Sequence, residues 1–563
     1  MAQSVLPFTL LKEGAVDYET LRPHLSDALR EGCEQSLFLT EYIRRLPLDE
    51  IGIPDYYPKP NRSLGQLKER NLIYPLKGGL FIHMLSDEGG ARDHYIAVEP
   101  SAVIEVDYLI PEIDHKLMTW AEELGRIEDK EEKTAMLSKL VDNICYVVPP
   151  GTNGKRRSDK IAVTAGELEA VRYYILRDKI GLGVLQPLLL DPNIEDISCS
   201  GVGHIFIEHK IFKSVQSSIY FATHDDVDDF AVWLGEWIKS PVTVRNPLVD
   251  AVLPDGSRIN IVYGREISKR GSNFTIRRFA GTPTSVLELV EFGSLNYLMA
   301  SYLSFMLEEG MNMFVVGATA SGKTTLLNAI NAFIKPDAKI VTIEDTPEVY
   351  VPHKNWVQEV TRSSSAEKKG AEVGMFDLLK AALRQRPDRI IVGEIRALEA
   401  VVAFQAMQTG HGVMSTFHAA TVEKLIQRLT GDPINIPKTY IDNLNLAVIQ
   451  SAVRLQDGRM ARRVMSINEI IGYDPVSDSF SFLEAFRWNP TNDTFEFPGY
   501  MNSYLLEQMI AIKRGIPPHK RKSIYTEVQR RARIFEKLHK EKGVTDFNEF
   551  FQILCEARKQ GLL

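Results

Sequence analysis

Several features that would assign a protein to a familiar class are scarce in this chain of 563 residues. It has only four cysteines, and no two of them form a Cys-x-x-Cys pair, so neither a zinc ribbon nor a disulfide framework is supported. No apolar run approaches the ~18 residues that a membrane-spanning helix needs. The net charge of −8 disfavours a general nucleic-acid coat. We therefore expect a cytosolic protein with reduced thiols, whose contact with a membrane is peripheral or made through a partner.

The residues that are present point first to a nucleotide. An apolar run leads into residues 317–325, which contain Gly-x-x-x-x-Gly-Lys-Thr and are followed by a helical pattern. Gly317 and Gly322 let the backbone curl, so that its N–H groups can point at phosphate oxygens. Lys323 would reach the β- and γ-phosphates of ATP, and the Thr324 hydroxyl would bind Mg²⁺. The predicted cofactor-binding residues are Gly317, Ala318, Thr319, Ala320, Ser321, Gly322, Lys323, Thr324 and Thr325.

Two apolar strands that end in acids follow this loop. Ile340-Val-Thr-Ile-Glu-Asp345 ends in Glu344 and Asp345, and Arg389-Ile-Ile-Val-Gly-Glu394 ends in Glu394. Ligands of open α/β sheets bind at the carboxyl ends of the strands, so these acids are expected near the γ-phosphate and Mg²⁺. Glu394 is predicted to hold the magnesium shell or to activate water. An acidic residue at the end of a single strand is a turn or helix cap as often as it is catalytic. Here two such strands follow a phosphate loop in the sequence, which favours the catalytic interpretation.

A glycine-flanked turn and a strand, residues 409–418, carry two histidines. His418, at the end of the strand, is predicted to sense the γ-phosphate, and His411 is a second candidate. Three arginines, Arg384, Arg386 and Arg396, flank the acidic strand. A single histidine is more often structural and such arginines often form surface pairs, so both alternatives stay open for these residues.

Composition and periodicity predict a multidomain α/β protein. Residues 513–542 contain eleven Lys or Arg against three acids, a local charge of +8 on an acidic chain. This segment is either a solvated helical face or a contact for anionic lipid headgroups or acidic loops of a membrane protein. The predicted segments are an adaptor with helices and short strands (1–125), a charged helix and linker (126–160), an α+β sheet domain (161–279), a hinge (280–286), an ATPase domain (287–500) and a basic helical tail (501–563).

The motifs, in this order, resemble those of the secretion ATPases, the motors of type II and type IV secretion, type IV pili and the archaellum. That family carries a Walker A loop, an acidic "Asp box", a Walker B strand ending in Gly-Glu and a "His box". The corresponding stretches here are Gly317–Thr325, Thr342–Glu348, Ile390–Glu394 and Thr409–His418. Pro437-Lys-Thr-Tyr-Ile-Asp-Asn-Leu-Asn445 and Ile467-Asn-Glu-Ile-Ile-Gly-Tyr473 look most like the archaellum motor ATPase.

The resemblance implies a RecA-like P-loop core preceded by an α+β, PAS-like sheet domain and a mixed helical N-terminal domain. It implies a homohexamer that binds ATP between the two domains of a subunit and closes about the hinge at Gly281-Thr-Pro283. Arginines of the N-terminal sheet would complete the site, and Arg258 and Arg277 match those positions. The implied setting is cytoplasmic, at the inner face of the cell membrane. The implied partners are a polytopic membrane platform protein and accessory cytosolic motor proteins, with no specific nucleic acid.

The sequence thus predicts an ATPase that powers assembly or rotation of an archaeal type IV pilus-like filament. An archaeal pilus-assembly or type II-like secretion ATPase shares most of the same motifs. A nucleic-acid translocase is disfavoured by the acidic pI and by the lack of an aromatic-and-basic stretch for strand binding. A non-hydrolysing scaffold is the third alternative.

Overall fold

A computed structural model describes residues 3–11, 16–87, 89, 92–127, 129–149, 160–279, 282–362 and 373–562. The chain divides into two compact units, Met1–Ala280 and Gly281–Leu563. Each unit is built around one large β-sheet flanked by helices, which confirms a multidomain α/β protein. Within the described ranges, no helix combines the length and the apolarity that crossing a bilayer requires.

The sheet of the first unit has eleven strands, and a separate pair, β6 and β7, lies outside it. Ten of the eleven follow the order β11-β12-β13-β8-β9-β10-β5-β4-β3-β2, and β1 pairs with β10. The strands are β1 (Gln3–Ser4), β2 (Asp55–Tyr56), β3 (Asn71–Pro75), β4 (Phe81–Leu85), β5 (His94–Val98), β6 (Cys145–Val147), β7 (Ile161–Val163), β8 (Ile194–Cys199), β9 (Gly203–His209), β10 (Lys213–Phe221), β11 (Leu248–Val252), β12 (Arg258–Val262) and β13 (Asn273–Arg277).

Helices of the first unit pack against this sheet and against one another through three apolar clusters. Several begin at side-chain caps that the sequence encodes, such as the capping box of Thr164 and Glu167. The helices are α1 (Tyr18–Leu21), α2 (Asp27–Gln35), α3 (Leu37–Arg45), α4 (Leu48–Ile51), α5 (Pro100–Val103), α6 (Ile110–Leu117), α7 (Ala121–Arg126), α8 (Lys130–Ile144), α9 (Ala165–Lys179), α10 (Gln186–Leu190) and α11 (His224–Trp237).

One sheet crosses the boundary that we predicted near residue 125. Strand β10 pairs in parallel with β5, in the register Gln216 to His94 and Ser217 to Tyr95. Strands from the predicted adaptor and from the predicted α+β domain therefore share a single hydrogen-bonded ladder. The linker residues 150–159 lie outside the described residues, as do Ala280 and Gly281 of the predicted hinge.

The second unit contains a nine-stranded sheet in the order β16-β15-β17-β18-β14-β19-β20-β21-β22. Its first six strands in this order run parallel, and the remaining pairings are antiparallel. The strands are β14 (Met313–Val316), β15 (Ile340–Glu344), β16 (Trp356–Val360), β17 (Arg389–Ile395), β18 (Gly412–Phe417), β19 (Leu446–Arg454), β20 (Met460–Asp474), β21 (Ser479–Asn489) and β22 (Thr494–Glu496).

Helices cover both faces of the parallel strands, which are accordingly apolar throughout; all four residues of β14 are buried. The helices are α12 (Val286–Glu291), α13 (Tyr297–Glu308), α14 (Lys323–Asn331), α15 (Met375–Leu383), α16 (Glu399–Gln408), α17 (Val422–Thr430), α18 (Ala511–Lys513), α19 (Ile524–Lys540) and α20 (Phe547–Lys559).

The segment that we set apart at residue 501 contributes to the core of this unit. Helix α19 lies within the predicted basic helical tail and buries one face. The ring of its Phe535 stacks on Phe333, which follows α14, with centroids 5.7 Å apart. Phe550 of α20 packs edge-on against both rings. The C-terminal helices therefore brace the far end of the helix that begins at the phosphate loop.

Candidate nucleotide-binding site

The phosphate-binding loop follows β14 and leads directly into α14. Gly322 has φ 93° and Ala320 has φ 60°, so the loop turns through left-handed backbone before the helix begins at Lys323. A Cβ on Gly317 would lie 2.2 Å from the Gln450 carbonyl oxygen, which only glycine avoids. The loop is thus shaped as the sequence motif predicts.

Lys323 is buried at the start of α14. Its Nζ donates a hydrogen bond to the Ala318 carbonyl across the loop, at 2.9 Å. Burial lowers the pKa of Lys323, and the nearby carboxylates of Glu394 and Glu348 oppose this shift. A lysine held this way is placed to exchange a loop carbonyl for a phosphate oxygen.

Glu394 is the centre of a charged cluster beside the loop. A register shift between β17 and β18 falls at Gly393, and such a bulge re-aims the side chain that follows it. His418 Nε2 lies 2.5 Å from Glu394 Oε1, and Arg396 Nη2 donates to Glu394 Oε2 at 2.5 Å. Burial lowers the pKa of His418, and Lys323 lowers it further while Glu394 opposes. The imidazole is therefore biased toward its neutral form.

Glu344 is almost fully buried, with 2% of its surface exposed. Its Oε1 accepts hydrogen bonds from the backbone N–H groups of Glu348 and Val349, each at 2.8 Å. Burial raises the pKa of Glu344 to about 7. The side chain lies against Gly393, where an added Cβ would meet Glu344 Cγ at 2.9 Å. Glu344 thus caps a turn with one oxygen and adjoins the Glu394 cluster. Asp345, the next residue, is exposed and accepts from Thr361 Oγ1 at 3.1 Å.

Three buried polar atoms around the loop make no hydrogen bond with any described residue: Ser321 Oγ, Glu344 Oε2 and Gln450 Oε1. Buried polar atoms are nearly always paired, so such a group of orphans fits a site that a polar ligand completes. Carboxylates, a threonine hydroxyl, a lysine and loop N–H groups are the donors and acceptors that Mg²⁺ and phosphate require. The residues present therefore fit a magnesium–nucleotide complex.

Parallel pairing explains why residues distant in sequence meet here. Strands β15, β17, β18 and β14 run in the same direction, so Glu344, Glu394, His418 and the phosphate loop share the carboxyl edge. His411 precedes β18 and therefore lies at the opposite edge, where its Nδ1 contacts Thr409 Oγ1 at 3.1 Å. Arg384 and Arg386 precede β17 and are excluded from the site for the same reason.

The two arginines predicted to complete the site belong to the first unit. Arg258 of β12 and Arg277 of β13 stand directly opposite each other in register, and both are exposed. Arg258 Nε donates to Asp250 at 3.0 Å, while Arg277 is paired in register with Asp196 of β8. The two arginines thus lie side by side on the solvated face of their sheet, each beside an aspartate.

Sequence reasoning missed two residues that touch the phosphate loop. Strand β19 continues beyond the end of β14, which brings the buried Gln450 against Gly317 and Gly322. Arg462 of β20 donates through Nε to the Ala320 carbonyl at 3.3 Å. No motif marks either residue, because Gln450 depends on how far β19 extends past β14 and Arg462 on an antiparallel pairing with an irregular register.

A model of the family described as "Type II/IV secretion system protein" matches residues 178–473. Uncharacterized protein MJ0900 of Methanocaldococcus jannaschii is 42% identical over 543 residues, which is 95% of this chain and 97% of that protein. Protein VirB11 of Agrobacterium fabrum is 30% identical over 272 residues, which is 42% of this chain and 76% of that protein. The X-ray structure of the Legionella pneumophila ATPase DotB is 19% identical, covers 65% of this chain and 92% of that chain, and superposes with a TM-score of 0.38.

Proposed function

Because the chain belongs to the secretion ATPase superfamily, through the type II/IV secretion system protein family, we propose that it hydrolyses ATP to ADP and phosphate and couples this reaction to mechanical work. One observation carries the proposal. A phosphate loop with a buried lysine and the Glu394–His418 pair lie together at the carboxyl edge of one parallel sheet.

Residues 317–325 bind the phosphates in this proposal, with Lys323 moving from the Ala318 carbonyl to a phosphate oxygen. The Thr324 hydroxyl would ligate Mg²⁺, and Asp345 and Glu394 would contact it through water. Such an ion would supply positive charge against the phosphates.

Two carboxylates share the remaining chemistry. Water attacks the γ-phosphorus as the bond to the bridging oxygen breaks, and the proton of the water must pass to a base. Glu344, whose pKa of about 7 lies near the operating pH, is suited to accept that proton. Glu394 is held by Arg396 and His418, which suits an orienting role for the metal shell and the water. A neutral His418 carries a single N–H, so it would donate to a γ-phosphate oxygen by exchanging its contact with Glu394 for that oxygen.

Arg258 and Arg277 act as arginine fingers in this proposal, stabilising the charge that develops on the transferring phosphoryl group. Arg258 would exchange Asp250 for phosphate as the N-terminal sheet closes. Breaking the exposed Arg258–Asp250 pair costs little free energy, because solvent screens the two charges. A homohexamer in which each subunit closes in turn converts this exchange into motion.

We further propose that the ATPase drives the assembly or rotation of an archaeal type IV pilus-like filament, the archaellum. The stretch Pro437–Asn445 supports this choice, and the similarity to a Methanocaldococcus protein over nearly the whole chain supports an archaeal machine. The motor would act at the cytoplasmic face of the membrane with a polytopic platform protein and accessory cytosolic motor proteins. Pilus assembly or type II-like secretion is the alternative, and the −8 net charge argues against a nucleic-acid translocase.

A nucleotide titration tests the biochemical proposal. The purified chain is expected to bind a fluorescent ATP analogue with Mg²⁺, and Lys323→Ala is expected to abolish binding. Lys438→Ala is the matched control, because Lys438 is exposed and pairs only with surface groups. Equal binding by all three proteins would contradict the assignment of the phosphate loop.

Complementation in the host tests the identity of the machine. A strain that lacks this gene is expected to lose swimming and its rotating filament, and Glu394→Gln is expected not to restore them. Loss of adhesive pili with swimming intact would instead establish the pilus alternative.

A further inference from the structure

Helix α19 presents one continuous cationic surface to solvent, which we term the basic face. It lies opposite the buried side of the helix, whose Tyr525, Val528 and Phe535 pack into the core. The four members that lie on the helix fall within about a quarter-turn of one another at 100° per residue. The basic face consists of Lys522, just before the helix, and Arg530, Arg533, Lys537 and Lys540, all of them exposed.

Not every cation of residues 513–542 is available to a partner. Arg531 is buried and donates to Glu308 at 2.7 Å. Arg514 donates to Glu309 at 2.7 Å, and Lys513 lies 3.2 Å from the same carboxylate. These contacts fasten the segment to the end of α13, so the local charge of +8 overstates the charge that is free to bind.

Three of the five cations of the basic face have no carboxylate beside them among the described residues. Arg530 and Lys540 form exposed pairs with Glu527 and Glu536, which offset their charge. Lys522, Arg533 and Lys537 make no ion pair with any residue that the structure describes. Lys522, just before the helix, and Arg533 and Lys537 on it therefore remain open to an external anion.

We propose that the basic face binds the headgroups of an anionic lipid surface. The face lies along one side of a single 17-residue helix, where its cations can meet a flat layer of phosphates. It exposes no aromatic side chain on which a base could stack, because Tyr525 and Phe535 are buried. It also exposes no large apolar side chain, so the contact is electrostatic and lies at the headgroup level. The inference rests on the proposed function in one respect: a motor that acts at the membrane would bring the second unit, which carries the basic face, close to lipid.

Vesicle flotation of the full-length chain tests this inference. Binding is expected to phosphatidylcholine vesicles that contain phosphatidylglycerol, to be absent with phosphatidylcholine alone, and to fall as salt rises. Each basic residue near such a surface contributes about a factor of five in affinity. The triple variant Lys522→Gln, Arg533→Gln, Lys537→Gln should therefore bind on the order of 100-fold more weakly.

A charge-matched control separates the basic face from net charge. Lys438→Gln, Arg459→Gln, Arg487→Gln removes three exposed cations elsewhere on the same unit and should retain vesicle binding. Circular dichroism checks that both variants are folded. Equal binding by the wild type and the basic-face variant, or an equal loss in the control, would overturn the proposal. A labelled single-stranded oligonucleotide that binds in place of vesicles, and is lost in the same variant, would overturn it in favour of nucleic acid.

ATP turnover measured on the same preparations keeps the two proposals apart. Basal turnover is expected to be unchanged in the basic-face variant, because none of its three residues touches the phosphate loop. Vesicle binding without turnover supports the lipid surface and refutes the motor. Turnover without vesicle binding refutes the lipid surface and leaves the motor intact.

Discussion

The buried carboxyl of Glu344 offers a quantitative test of the site. In the folded chain its pKa is about 7, against 4.5 for an ordinary glutamate, and burial is the main cause. The group therefore loses its proton less readily when folded than when unfolded. Its contribution to stability is complete below pH 4.5 and is lost as the pH rises through about 7.

The perturbation is Glu344→Gln, which keeps an oxygen for the two backbone donors and removes the charge. At about 1.4 kcal/mol for each tenfold change in a proton equilibrium, a shift from 4.5 to about 7 corresponds to roughly 3 kcal/mol. At pH 8 the variant should be more stable than the wild type by up to this amount. Near pH 4.5 the two should be equally stable. The same substitution should strongly reduce ATP hydrolysis if Glu344 accepts the proton of the attacking water.

Hydrogen–deuterium exchange of the β15 and β17 amides, followed from pH 4.5 to 8, reports the free energy of opening for this unit. Glu423→Gln is the control, because Glu423 is exposed in the first turn of α17 and is not among the groups that shift the pKa of Glu344. If Glu344→Gln is less stable than the wild type at pH 8, the buried Glu344 carboxylate does not destabilise the fold, and the reasoning is refuted. A difference that does not change with pH would refute it as well.

Three further substitutions follow from contacts in the second unit. Arg462→Gln should weaken binding of ATP and ADP about five-fold in a fluorescence titration, through loss of about 1 kcal/mol at the phosphate loop, while Arg459→Gln should have no effect. Arg531→Ala should lower the free energy of unfolding by about 3–5 kcal/mol in urea, because it leaves the Glu308 carboxylate half-buried without its closest cation. Gly317→Ala should reduce nucleotide binding by on the order of ten-fold or more, because its Cβ would lie 2.2 Å from a backbone oxygen. Unchanged affinity in either loop variant, or an unfolding midpoint unaffected by Arg531→Ala, would contradict the corresponding contact.

Local motifs predicted the part of the site that parallel strands create. The phosphate loop, Glu394 and His418 each end or follow a buried strand, and a parallel sheet brings such ends to one edge. The same rule excludes His411, because it begins a strand instead of ending one. The direction of the strands thus predicts which polar residues lie together at one edge of the sheet.

Long-range pairings could not be predicted in this way. Gln450 reaches the loop because β19 extends beyond the end of β14. Arg462 reaches it because β20 pairs antiparallel with this extension of β19. The parallel contact of β5 with β10 joins segments more than a hundred residues apart, and no local pattern encodes it. The basic segment was recognised by its charge, but which cations are committed to Glu308 and Glu309 depended on the packing of α19 against α13.

Single-turnover hydrolysis by the wild type and by Glu394→Gln decides whether this chain is a motor ATPase built around the Glu394 cluster. The account predicts that both proteins bind MgATP with similar affinity, and that phosphate release falls by on the order of 100-fold or more in the variant. A rate unchanged by Glu394→Gln would contradict it and would leave the chain as a nucleotide-binding scaffold.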